Sequence, residues 1–276
     1  SSHLGPKMDM CSEKRKGPEE SVPLRAVFFD LDDTLAATSK HDQTAYDAVK
    51  VEALRIYPQL DGDKLLADYK VALAESPWDK AYPEAEVRSV TLHRAELWTK
   101  SLHKQELAAV PDEIGYKLQT IFDETRLACF KFLDGAEAMV KRLQDSGLQT
   151  VMITSGHHEI QHAKLQACGA HSLFGSSILV GGDELRAGRS DKPSKEIFDR
   201  ACNIAGCHSH EAVMIGDSLK SDIQGAHNGG LRAGIWVNAA GNHIGENDPK
   251  PSASVTVVTE LEQVLVDLEL VQEAPA

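Results

Sequence analysis

The sequence predicts an α/β fold in which a parallel sheet is interrupted, after its first strand, by an all-helical insertion. Three observations predict it. Short apolar runs bounded by polar residues alternate with helical periodicity through the second half of the chain, as in βαβ units on a parallel sheet. One run of the same kind, Ala26-Val27-Phe28-Phe29, stands far upstream. The next, from Gln149 to Ile153, begins about 115 residues later, and the apolar residues between them recur at three- and four-residue spacing. Such an interval is helical, since a structureless loop of that length does not suit a compact domain.

Residues 1–23 are polar, rich in Lys, Glu and Pro and aperiodic, which predicts disorder. Ser1 to Met8 look like a cloning remnant, so whether a targeting peptide has been removed stays open. Residues 37–131 read as a small helical domain. Ala45, Val49, Ala53 and Ile56 form one apolar face before Pro58, and Leu65, Leu66, Tyr69 and Leu73 another before Pro77. Val87, Val90, Leu92, Leu97 and Trp98 follow Pro83, and Ile114, Leu118, Ile121 and Phe122 follow Pro111. The prolines mark the helix boundaries.

Residues 24–36 and 132–272 then form a Rossmann-like core. After a helix of about 135–145 and the strand 149–153, a helix of about 158–168 stops at Gly169. Ser177 to Val180 is a short strand. Pro193 is expected to open a helix, because proline suits the first turn, and Gly206 to close it. Ala212 to Ile215 is a strand, Leu219 to His227 a helix and Ala233 to Val237 a strand. Val255 to Val258 is expected as an edge strand before a last helix of about 259–271.

Composition narrows the function. A net charge of −13 argues against nucleic acid or an anionic membrane as partner, and no apolar run approaches the roughly 20 residues of a membrane span. Five cysteines, an odd number without a CxxC pair, suit a reduced, cytoplasmic protein.

The chemistry gathers at the carboxyl ends of the strands, where open α/β sheets bind ligands. Asp30, Asp32 and Asp33 crowd behind the first strand, with Thr34 after them. Their repulsion calls for neutralisation, and Mg²⁺ suits carboxylate, carbonyl and water ligands. Thr154, Ser155 and Gly156 follow Ile153, offering hydroxyls and main-chain N–H groups to a phosphate. Gly216 and Asp217 end the strand from Ala212, and Asp222 opens the next helix. Lys192, just before Pro193, is placed to hold an anion and relieve the acids. Taken singly, each of these also suits an ordinary cap or surface charge.

Taken together, Asp30-x-Asp32-x-Thr34, Thr154, Lys192 and Gly216-Asp217 with Asp222 resemble the four ordered motifs of the haloacid dehalogenase superfamily. The helical insertion resembles that superfamily's C1 cap domain. The resemblance spans about residues 24–270 and implies a Mg²⁺-dependent phosphatase. On it, Asp30 is the nucleophile that becomes an aspartyl phosphate, and Asp32 is the general acid and base. Mg²⁺ is held by Asp30, by Asp32 through its carbonyl and by Asp217, with Asp222 in support. Leu31, Asp32, Thr154, Ser155, Gly156 and Lys192 hold the phosphate. One departure is Ser155, where relatives more often carry Asn.

The acid at Asp32 points to a phosphatase rather than a dehalogenase. The expected partner is a small phosphorylated metabolite, first a sugar phosphate. A nucleotide, FMN or polyol phosphate is the alternative, and a non-catalytic protein on the same fold is a third reading. His157, His158 and His162 are expected on an exposed helix start and not as a metal cluster. Trp78, Tyr82 and Trp98 are expected to pack helices. Arg88, Arg94 and Arg126 are expected at the surface or in salt bridges, with Arg126 near the chain's return to the core.

Overall fold

The computed structural model describes residues 22–77, 89–105, 107 and 109–271. Six parallel strands form one sheet in the order β3-β2-β1-β4-β5-β6. They are β1 (Ala26–Phe29), β2 (Gln149–Thr154), β3 (Ile178–Val180), β4 (Ala212–Gly216), β5 (Ala233–Val237) and β6 (Ala253–Val255). β1 lies at the centre, paired with β2 on one side and β4 on the other, so that Phe28 opposes both Val151 and Met214.

Both faces of the sheet are covered, which explains an apolar run without alternation. Val27 and Phe29 point into one layer with Met139, Leu143 and Leu265. Ala26 and Phe28 point into the other with Phe198, Ala201 and Met214.

Between β1 and β2 stand α1 (Thr38–Ile56), α2 (Gly62–Glu75), α3 (Val90–His103) and α4 (Asp112–Cys129), followed by α5 (Ala136–Asp145) under the sheet. The first four helices close over a core of their own. Tyr69 stacks on Trp98 at 3.5 Å between centroids. Buried Gln119 takes the Tyr69 hydroxyl at 3.3 Å and the Trp98 indole N–H at 3.1 Å. Tyr46, Leu97 and Phe122 complete that core. Trp98 is thus a packing residue, while Trp78, Tyr82 and Arg88 lie outside the described residues. The chain leaves and re-enters the sheet domain at one place, where Ala36 bridges Phe132 and the Leu133 N–H donates to the Leu35 carbonyl at 2.8 Å.

After β2 come α6 (His158–Ala167) and the short helices α7 (Ala170–Phe174) and α8 (Gly181–Arg186), the last two beyond what periodicity could reveal in so few residues. Three expectations need correction. Ser194, not Pro193, opens α9 (Lys195–Ala205): its hydroxyl accepts the Glu196 N–H at 3.3 Å. Leu219–Ile223 is a π-turn that leads into α10 (Gln224–Gly229). The edge strand ends at Val255, because Glu260 takes the Thr256 N–H at 2.8 Å and turns the chain, burying Val258 from a 3₁₀ turn before α11 (Leu261–Asp267). No helix among the described residues is long and apolar enough to cross a membrane.

Candidate active site

Phe29 is the last residue of β1, yet pairing continues one residue further. The Asp30 N–H donates to the Ile215 carbonyl of β4 at 3.0 Å, which fixes the buried Asp30 carboxylate at the carboxyl edge of the sheet. The chain then folds back, as the Leu31 carbonyl accepts the N–H groups of Leu35 at 3.0 Å and Ala36 at 2.9 Å. That turn holds Asp33 at a φ of 55°, in the left-handed region that Asp tolerates better than most residues. The Asp33 carboxylate accepts the Ser39 N–H at 2.8 Å.

Lys192 reaches the acids from beneath. Its Nζ donates to Asp30 Oδ1 at 2.6 Å and to Asp222 Oδ1 at 2.7 Å, with all three side chains buried. The second oxygen of Asp222 accepts the Ser218 N–H at 3.0 Å. Gly216 makes this possible: a Cβ there would lie 2.3 Å from Asp222 Cγ. One residue on, Asp217 is partly exposed, and its main-chain carbonyl accepts the Trp236 indole N–H at 2.7 Å.

Asp30, Asp217 and Asp222 each bring a carboxylate oxygen to within 4.8 Å of the others. Burial pushes the Asp30 carboxyl well above the usual range, against the pull of Lys192 and with the help of Asp222 and Asp32. Burial, then Asp222 and Asp33, push Asp217 up to about 7. For Lys192, burial works against the charge, but Asp222 and Asp30 outweigh it and the pKa rises. One buried ammonium among three acids leaves negative charge uncompensated. The donors are hard oxygens without His or Cys, so the set fits a hard divalent cation such as Mg²⁺. Asp222, with both oxygens engaged, suits a supporting role.

Asp32 faces a different set of partners. Its carboxylate accepts from Thr38 Oγ1 at 2.6 Å, Lys164 Nζ at 2.8 Å and Gln161 Nε2 at 2.8 Å. Burial alone would raise its pKa; Lys164 and these hydrogen bonds outweigh burial and lower it. Gln161 Nε2 also donates to the Ser155 carbonyl at 2.7 Å and lies 2.5 Å from Thr154 Oγ1. The Ser155 hydroxyl donates to Asp191 Oδ1 at 2.9 Å. Gly156, at a φ of 124°, turns the chain into α6. The Leu31 side chain is buried in the core beneath the site.

The structure thus brings Asp30, Lys192, Asp217 and Asp222 together, with Asp32 and Thr154 joined to each other through Gln161. Thr38, Gln161, Lys164 and Asp191 were not foreseen as site residues. Gln161 and Lys164 stand three apart on α6, a spacing that puts both on one face, but periodicity does not say which face meets the site.

The histidines depart in part from expectation. His157 is buried, not exposed: its Nδ1 caps α6 by accepting the Glu159 N–H at 3.2 Å, and burial lowers its pKa to about 4. His162 lies at the surface against Asp183 at 2.7 Å. Among the described residues the three form no ligand cluster. Arg126 is ion-paired, as expected, with Asp123 at 2.9 Å, but it is buried. Its Nε has no hydrogen-bond partner among the described residues.

A family model of the haloacid dehalogenase-like hydrolases matches residues 24–230. The N-acylneuraminate-9-phosphatase of Homo sapiens is 27% identical over 250 residues, covering 89% of this chain and 95% of that protein. The glyceraldehyde 3-phosphate phosphatase of Methanothermobacter thermautotrophicus is 28% identical over 249 residues, covering 87% and 98%. Among solved structures, the magnesium-bound hydrolase YfnB of Bacillus subtilis superposes with a TM-score of 0.64 at 22% identity, over 88% of this chain and 99% of that one.

Proposed function

This chain belongs to the haloacid dehalogenase-like hydrolase family, and on that premise we propose that it is a Mg²⁺-dependent phosphatase of small phosphate monoesters. The observation that carries this reading is the buried Asp30 carboxylate, with one oxygen held by Lys192 and an acid two residues further on. A dehalogenase needs no acid in that place; a phosphate ester needs its leaving oxygen protonated.

In the first step an Asp30 oxygen attacks phosphorus, the bond to the leaving oxygen breaks, and Asp32 gives that oxygen its proton. In the second, Asp32 takes a proton from water, the water oxygen attacks phosphorus, and Asp30 leaves with inorganic phosphate released. Lys192 favours the ionised form of Asp30 in opposition to its burial, and Leu31 and Asp32 N–H groups, with Thr154 and Gly156, position the phosphoryl oxygens. When bound, Mg²⁺ would be held by Asp30, the Asp32 carbonyl and Asp217, with Asp222 in support, and would offset phosphoryl charge.

Residues 37–131 act in this reading as a cap that selects the leaving group, and residues 24–36 and 132–272 as the catalytic core. Support comes from the separate core of the four helices and from Thr38, which touches Asp32 from the first residue of α1. The leaving group of choice is a sugar acid. Lys164 and Arg126 are buried cations near the site, paired with Asp32 and with Asp123 and Asp42, and an anionic group beyond the phosphate would exchange for one of those acids. N-acylneuraminate 9-phosphate, with its carboxylate, is such a substrate, in line with the relative named for it.

The test is hydrolysis of p-nitrophenyl phosphate with and without Mg²⁺, by wild type and Asp30→Asn. Turnover without Mg²⁺, or its survival in the variant, rules the mechanism out. A panel containing N-acylneuraminate 9-phosphate, glyceraldehyde 3-phosphate, nucleotides, FMN and polyol phosphates then ranks the leaving groups. Preference for an uncharged leaving group removes the sugar-acid reading.

A further inference from the structure

Thr154 and Ser155 are adjacent hydroxyls at the end of β2, and their neighbours treat them oppositely. A hydroxyl has one hydrogen to give and two lone pairs. Thr154 Oγ1 lies 2.5 Å from Gln161 Nε2, an amide nitrogen that cannot accept, so the Thr154 hydrogen is left for another acceptor. Ser155 Oγ lies 2.9 Å from Asp191 Oδ1. That same Oδ1 accepts the Lys192 main-chain N–H at 2.6 Å, and toward this carboxylate oxygen the Ser155 hydroxyl is the donor. The single Ser155 hydrogen is already committed.

Asp191 is built into place. The Ser194 N–H donates to its main-chain carbonyl at 3.0 Å. Its carboxylate fills the space over Gly181, where a Cβ would come within 2.1 Å of Asp191 Cγ. One carboxylate oxygen thereby ties the end of β2 to the turn that carries Lys192, and Gly181, just after β3, leaves room for it.

We propose that Asp191 is a positioning residue of the phosphate side of the site: it fixes Ser155 to the Lys192 main chain and keeps the Ser155 hydroxyl turned away from the phosphate. Thr154 is then the hydroxyl that donates to the phosphate, and Ser155 acts only through Asp191. The assignment rests on the phosphatase reading above.

The experiment is a double-mutant cycle on the full chain, read as the affinity for inorganic phosphate in saturating Mg²⁺ by calorimetry. Asp191→Ala is expected to weaken phosphate ~10-fold and Ser155→Ala ~3-fold, as for a hydrogen bond to a charged group. The double variant should be no weaker than Asp191→Ala, because both changes break one linkage. Asp191→Asn keeps an oxygen acceptor and should recover most of the loss. The ratio of kcat/KM between substrates with different leaving groups should hold constant, which a general loosening of the fold would not ensure. If Asp191→Ala does not fold, Asp191→Ser carries the same cycle.

Losses that multiply in the double variant would show the Ser155 hydroxyl reaching phosphate by itself and overturn the assignment. Wild-type affinity in Asp191→Ala would overturn it too. In either case, phosphate binding by the wild type leaves the phosphatase reading standing. A wild type that binds no phosphate overturns both.

Discussion

Gly216→Ala adds one methyl group at a point where the fold has no room for it. The new carbon would lie 2.3 Å from Asp222 Cγ and Oδ2 and 2.7 Å from Asp222 Cβ. Ordinary contact needs about 3.4 Å, so Asp222 must retreat by about 1 Å. That retreat takes the Lys192–Asp222 bond, now 2.7 Å, beyond hydrogen-bonding range and strains the Ser218 N–H contact at 3.0 Å. Both charges are buried, and breaking such a pair costs about 3–5 kcal/mol. In a chain of this size that lowers Tm by roughly 10 °C. Lys192 also holds Asp30, so Asp30, the nucleophile of the proposed mechanism, is displaced as well, and a misplacement near 1 Å costs about 10²-fold in turnover. Thermal unfolding and kcat on p-nitrophenyl phosphate in saturating Mg²⁺ read the two effects separately. A variant with wild-type Tm and turnover would refute the argument that Asp222 is wedged under Gly216 to hold Lys192.

Asp32→Asn should slow alkyl phosphates far more than p-nitrophenyl phosphate, whose leaving group needs little protonation; equal losses across a leaving-group series would exclude a general acid there. Lys164→Met removes the largest influence that lowers the Asp32 carboxyl, so the alkaline limb of the kcat/KM profile should move to higher pH, and an unmoved limb would separate Lys164 from the acid. Asp217, raised to about 7 in the metal-free fold, binds its proton more tightly folded than unfolded. Its contribution to stability is therefore complete at pH below about 4 and lost as pH rises through about 7. Metal-free Asp217→Asn should show higher Tm than wild type at pH 8 and a weaker fall in Tm between pH 5 and pH 8, with its activity demanding more Mg²⁺; identical melting curves would contradict the raised pKa.

The strand ends were legible because each combines a buried apolar run with an abrupt polar residue, and β1, β2, β4 and β5 obey that rule. Asp30 and Asp217 could be found in the sequence for the same reason, and Lys192 from its place just before Pro193. The partners of Asp32 could not. Thr38 lies on the insertion and Gln161 and Lys164 on a core helix, and their meeting depends on how α6 is rotated and where the insertion is set down. Asp191 was hidden by its neighbour: an acid beside a lysine reads as a surface pair, and only the slot over Gly181 shows it half-buried against Ser155. At β6 the apolar run outlasts the strand, because Val258 finds its core contacts from a turn and not from the sheet.

The last rung of the sheet, from the Asp30 N–H to the Ile215 carbonyl, divides two neighbouring residues by their dynamics. Asp30 hangs from a central strand bonded on both sides, so its amide should exchange with solvent only when the sheet itself opens, among the slowest in the chain. Asp32 is two residues past that rung, in a turn whose bonds are local, and its carboxylate is steadied by side chains from α1 and α6. Those contacts can part without breaking any strand pairing. Asp30 is thus as durable as the fold, while Asp32 belongs to its more easily rearranged layer, and a ligand can order the second without disturbing the first.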